Sequence, residues 1–205
     1  MNDVDNALSQ IADIQAQLAA STRFRGFGPE AMLLAGLLTL LAAVAQTIWP
    51  ESLASDPIRY VIFWAAIIAG GAVIICTEAV SRSRWLHGRM ADAMLGATLR
   101  QVLPFAATQA IVAFVVCQFA PDSAWIVPGL WQILIALVGF SAVPNLPRSI
   151  AWAAAWFFLC GTVVLILAGS GKVLSPWMMG IPFAVGHALI ALVLHRAGGE
   201  KHAQN

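Results

Sequence analysis

Charge is what this chain has least of. Only 10% of its 205 residues are Asp, Glu, Lys or Arg, whereas 60% are hydrophobic. A water-soluble domain carries about a quarter charged residues, so this chain cannot cover a water-facing surface. The mean hydropathy of +0.81 agrees. Net charge is only +1, so nucleic acid is not an expected partner. The three cysteines, Cys76, Cys117 and Cys160, stand in apolar runs at no metal-ligand spacing and read as small membrane-buried thiols. The chain has no GxSxG, no HExxH, no Walker loop and no GxGxxG followed by an acid, so the common hydrolase, metalloprotease and nucleotide-binding signatures are missing and no cofactor is expected. Residues 1–20 contain no Lys or Arg, and the apolar run after them is too long for the core of a removable signal peptide.

What the chain does have is six apolar runs, at about 30–49, 58–80, 101–119, 124–142, 150–169 and 176–195. Each is near the ~20 residues that cross a ~30 Å hydrocarbon core at ~1.5 Å per residue. They are too long and too close together for barrel strands. Without water, each must satisfy its own backbone, which makes them helices. The breaks at 50–57, 120–123, 143–149 and 170–175 are short and rich in Pro, Gly, Ser and Asp, which implies antiparallel neighbours. The expected fold class is therefore all-α: a polytopic bundle of six transmembrane helices contacting the lipid bilayer. Residues 27–196 form the membrane domain, residues 1–26 a lead-in and 197–205 a tail.

The stretch 81–100, SRSRWLHGRMADAMLGATLR, is the longest polar interruption. It holds Arg82, Arg84, Arg89 and Arg100 against a single acid, Asp92. Placing this basic loop in the cytoplasm puts Arg23, Arg25, Arg148, Arg196 and Lys201 there as well, and leaves only Arg59 and Lys172 outside. That bias predicts both termini in the cytoplasm of a cell inner (plasma) membrane. Trp49, Trp125 and Trp177 then fall at the outer helix ends, where an aromatic belt belongs, and Trp85 at the inner side. Residues 3–20 place Val4, Leu8, Ile11 and Leu18 on one helical face, with Asp3 and Asp5 in the first turn. The helix is acidic, whereas membrane-surface helices are usually basic. Its expected partner is protein: the basic stretch 81–100 or a second copy of the chain. The alternative is a loosely ordered polar tail.

Several short pieces carry a resemblance. Ser21-Thr22-x-Phe24 precedes the first span, with Gly28 and Gly36 after it. Pro128-x-Leu130 and Ala136-Leu137 lie in the fourth span, and Gly186-His187 in the sixth. Together they resemble a group of small bacterial six-helix membrane proteins with no assigned activity. The resemblance covers roughly residues 20–195. It implies the six-helix topology and adds no chemistry.

Polar groups at membrane depth are the candidates for function, because they are expensive there. His187 lies near the middle of the sixth span, next to Gly186, which allows close helix approach. It reads as a proton relay, a metal or haem ligand, a ligand contact, or a histidine bonded across helices for packing. A haem would want a second axial ligand that His187 lacks. Gln109, Gln132 and Thr108 are also mid-span, as interhelical glue or part of a path. Gln132 takes the place of His187 in a faint echo, Leu134–Val138 repeated as Leu189–Val193. Glu30 and Glu78 fall at the cytoplasmic ends of the first two spans, either paired with Arg82 or Arg100 or forming a proton- or cation-binding pair. His87, His195 and His202 are scattered, with no metal-site spacing.

Three function classes fit these residues. The first is a non-catalytic sensor, regulatory or assembly component acting through its cytoplasmic face. The second is a small transporter or channel for protons, ions or a small solute, which needs a polar path joining Glu30 or Glu78 to Gln109, Gln132 and His187. The third is a membrane enzyme using His187, which needs a second titratable group within ~3 Å of that ring, or one water away.

Overall fold

The computed structural model describes residues 28–53, 55–87, 91–143, 148–171 and 174–199. The expected helix 3–20, together with Arg23, Arg25, Arg89, Lys172, Lys201 and His202, lies outside them. Helix α1 runs Pro29–Ile48, the single turn α2 Pro50–Leu53, α3 Pro57–His87 and α4 Ala91–Phe119. A 3₁₀ turn, Pro121–Ile126, leads into α5, Val127–Ala142. Then come α6, Ile150–Gly171, and α7, Trp177–Gly199. No strand occurs among the described residues. Six of these segments are long and apolar enough to cross a membrane, and the chain is an all-helical, multi-pass membrane protein.

The helix boundaries follow from local chemistry. Pro29 stands at the first position of α1, where its missing N–H costs nothing. At the start of α3, Asp56 accepts a hydrogen bond from the Arg59 backbone N–H at 2.9 Å, capping the first turn. This bond holds the exposed Asp56 carboxylate below its ordinary value. The basic stretch 81–100 departs from the loop expected of it: α3 continues to His87 and α4 begins at Ala91. Arg, Leu, Met and Ala are good helix formers, no proline interrupts them, and leaving the bilayer does not by itself end a helix. At 31 residues, α3 is roughly 46 Å long and outreaches a ~30 Å core.

The six spanning helices form a closed ring, each packed on the next in chain order, with α7 returning to α1. Large apolar side chains face outward all round it: Leu33, Leu41, Ile62, Ile111, Phe114, Trp152 and Ile166 are all more than half exposed. A soluble protein would bury these, but here they match the hydrocarbon. Contact between helices therefore relies on close fit rather than on apolar burial. Helices α5 and α6 meet at Gly129 and Gly161. A Cβ on Gly129 would stand 2.9 Å from the Gly161 carbonyl oxygen, and one on Gly161 2.8 Å from that of Gly129. By contrast, no residue in the most apolar stretch of α4 is buried.

The ring is solid at one end and hollow at the other. Toward the distal end, which carries Trp49 and Trp177, the core holds Tyr60, Trp64, Val127, Trp131 and Met179. The 3₁₀ turn lies against α3, α4, α5 and α6 there, with Ala124 fully buried. The proximal end, which carries Gly28 and His87, encloses a cavity.

Candidate functional site

The cavity is open on one side and has a volume of about 520 Å³, within the ~300–1,000 Å³ of small-molecule sites. All six spanning helices contribute to it. One wall is the α3 stripe Ala72, Ile75, Cys76, Ala79 and Val80. The opposite wall is Leu99, Val102, Phe105 and Ala106 of α4. Thr39 of α1, Thr98 and Gln109 of α4 and His187 of α7 add the few polar groups, next to Phe157 and Phe183. The open side follows from α4, whose loose seat leaves a gap that the small residues Gly71, Ala72 and Ala106 do not fill.

His187 is held tightly. Gly36 lets α1 pass so close that a Cβ there would stand 3.2 Å from the His187 Cβ. The imidazole stacks on Phe183, with centroids 6.0 Å apart, and meets Phe157 edge-on at 6.4 Å. Its Nδ1 lies 2.7 Å from the Phe183 carbonyl oxygen. A carbonyl only accepts, so Nδ1 carries the hydrogen and donates it. The bond stays within α7, one turn back, and does not cross to another helix. In the neutral ring Nε2 is then an acceptor.

The other mid-span candidates separate. Gln109 lines the same cavity and makes a reciprocal pair with α5: its Nε2 reaches the Trp131 carbonyl oxygen at 3.4 Å, and Trp131 Nε1 donates to the Gln109 carbonyl oxygen at 3.1 Å. Thr108 is exposed on the outer face, and its hydroxyl donates to the Pro104 carbonyl oxygen, 2.8 Å away. Gln132 is fully buried elsewhere, between α5 and α7. Its Nε2 donates to the Met178 carbonyl oxygen at 2.8 Å, while its Oε1 is buried without a partner. Pro182, four residues beyond Met178, has no N–H to give that carbonyl. Gln132 supplies the missing donor from a neighbouring helix.

The two acids also part. Glu30 is exposed. Glu78 turns toward the start of α1, where its Oε2 accepts the Ala31 N–H at 2.8 Å and its Oε1 lies 3.6 Å from Arg82 Nη1. The missing side chain of Gly28 makes room for this carboxylate, since a Cβ there would fall on Glu78 Oε1. A helix N-terminus has unpaired N–H groups and partial positive charge, so Glu78 is a cap delivered from α3. Arg82 Nε and Ser83 Oγ are buried there with no hydrogen-bond partner. Arg84 and Arg100 are exposed. No group of three metal-ligating side chains forms among the described residues.

Sequence reasoning passed over the distal polar network. Fully buried Gln46 accepts from Trp64 Nε1 at 2.9 Å and donates to the Leu53 carbonyl oxygen at 3.2 Å. Tyr60 donates to the Ser175 carbonyl oxygen at 2.9 Å. Gln46 and Thr39 carry the same signal as Gln109, a polar side chain inside an apolar run. The chain matches no family model, and searches of curated proteins and of solved structures return no match.

Proposed function

We propose that this protein is a non-catalytic membrane sensor or regulatory component that takes an apolar ligand from the bilayer into the α3–α4 cavity and reports its presence at the cytoplasmic face. The observation that carries this reading is the open-sided cavity of about 520 Å³, lined mostly by aliphatic and aromatic side chains. Its walls are the inner halves of α3 and α4, and α4 is the least buried of the spanning helices. An occupant between them would change their spacing, and their proximal ends carry Arg82, Arg84 and Arg100. On the positive-inside bias we assign that end, with both termini, to the cytoplasm. Residues 3–20 are the segment we assign to a protein partner or a second copy.

A transporter has less support. Only Gln109 and His187 of the proposed path line one cavity; Thr108 faces outward, Gln132 caps Met178, and packed side chains fill the distal half. Enzyme chemistry at His187 has less support again. Among the described residues the titratable groups in the cavity wall are His187 and Cys76, and the rings packed on the imidazole are phenylalanines.

Photolabelling tests the reading. Protein in nanodiscs is irradiated with a long-chain fatty acid bearing a diazirine, and the labelled peptides are mapped. Labels should concentrate on 72–80 and 99–106 and disappear in Ala106→Phe, which fills the cavity with an apolar ring. Labels spread evenly over the outer positions Leu33, Ile111 and Trp152 would sink it.

A further inference from the structure

We propose that the cavity selects apolar molecules that carry a hydroxyl group, and that His187 Nε2 is the atom that receives it. This inference rests on the cavity being a ligand site and adds the chemistry it recognises. Three polar groups of the wall, those of Thr39, His187 and Gln109, direct their hydrogens to the protein. Thr39 Oγ1 donates to the Gly36 carbonyl oxygen at 2.7 Å, and His187 Nδ1 donates to Phe183 at 2.7 Å. Gln109 Nε2 is directed at the Trp131 carbonyl oxygen.

What these bonds leave over is mainly acceptors. Among the described residues no donor reaches His187 Nε2 or Gln109 Oε1, yet neither is among the fully enclosed unsatisfied atoms. Both belong to side chains that line the cavity. An acceptor facing a water-poor space is costly unless a donor reaches it. Lipid tails bring no donor, so a plain hydrocarbon or ester occupant leaves the imidazole unsatisfied. A long-chain or isoprenoid alcohol, or a protonated fatty acid, supplies one O–H at the end of an apolar body. Phe157 and Phe183 pack against the imidazole on its other sides. They fix its plane, so the acceptor direction is set before a ligand arrives. A metal ion is a poor occupant, because among the described residues the wall offers it one imidazole, one thiol, one amide and no carboxylate, and no group of three metal-ligating side chains forms.

The test compares hexadecanol with hexadecyl methyl ether, which differ by the hydroxyl hydrogen and one methyl group. Each is titrated into the protein in nanodiscs and its retention read by native mass spectrometry, corrected for partition into protein-free nanodiscs. The alcohol should bind about five- to tenfold more tightly, the value of one hydrogen bond to a buried acceptor. His187→Phe, which keeps an aromatic ring and removes the acceptor, should reduce that ratio to about one while both compounds still bind. Equal binding of the two by the unaltered protein overturns the hydroxyl assignment and leaves the cavity reading standing. A preference that survives in His187→Phe overturns the role of His187. If neither compound binds above the nanodisc background, the cavity reading fails, and the inference with it. The alcohol–ether comparison on the unaltered protein needs no variant to fold.

Discussion

At the scale of single residues, two polar side chains, Gln132 and Glu78, are explained by which backbone group lacks a partner. Gln132 is the clearest case. It was a candidate because an amide is costly in hydrocarbon, and its position is accounted for by a proline on a different helix. Gln132→Leu would leave the Met178 carbonyl without a donor. The expected loss is about 1–2 kcal/mol of stability, read as a lower melting temperature in detergent. Pairing it with Pro182→Ala, which restores the N–H within α7, should recover much of that loss. If the double variant melts no higher than Gln132→Leu alone, the donor role is wrong. Glu78 is explained in the same way by the open N–H groups at the start of α1. Glu78→Ala should cost about 1 kcal/mol and speed amide hydrogen exchange at residues 30–32, with α7 unchanged. Neither pairing was legible in the sequence, because Gln132 and Met178 are 46 residues apart, and Ala31 and Glu78 47.

At the scale of elements, hydropathy and turn residues gave boundaries close to those observed. The stretch 30–49 became Pro29–Ile48, and 150–169 became Ile150–Gly171. Membrane helices are legible because the bilayer sets their length and forbids the alternatives. The exception is 81–100, where the chain has left the hydrocarbon and only helix propensity acts. In the stretches that echo each other in the fourth and sixth spans, Ile135 and Ile190 both line the cavity, but Gln132 does not take the place of His187 there: it is fully buried against Met178. The start of α3 gives a pH prediction. The folded carboxylate of Asp56 lies below its ordinary 3.8, so the unfolded state binds the proton more readily. Its cap contribution is therefore present above that value and is lost as pH falls through it toward the lower folded one. Asp56→Ala should melt below the unaltered protein at pH 7, and the gap should narrow below about pH 4. A gap that is constant from pH 7 to pH 3 would refute the charge-based account.

At the scale of the whole molecule, the ring is asymmetric, with a packed distal half and a hollow proximal half. Under the orientation proposed here, the hollow half faces the inner leaflet. A C-terminal green fluorescent protein fusion should fluoresce in a bacterial host, while a C-terminal alkaline phosphatase fusion should be inactive. The reverse pair of results would invert the topology and move the cavity to the outer leaflet. The sequence by itself determined the solvent, the number of spans, their limits outside the stretch 81–100 and the charge bias, because each depends on composition summed along a helix and on the thickness of a bilayer. It also named His187 and Gln109 as unusual for their depth. Only the tertiary structure decided which polar groups meet. In these spans apolar residues cover every helix face, so no periodicity marks the inner one. Which side of α4 faces Trp131, and which carbonyl Pro182 leaves open to Gln132, depends on how neighbouring helices fit at glycines such as Gly129 and Gly161. The cavity arises from the same cause: α4 has no such close contact, and the space beside it remains open.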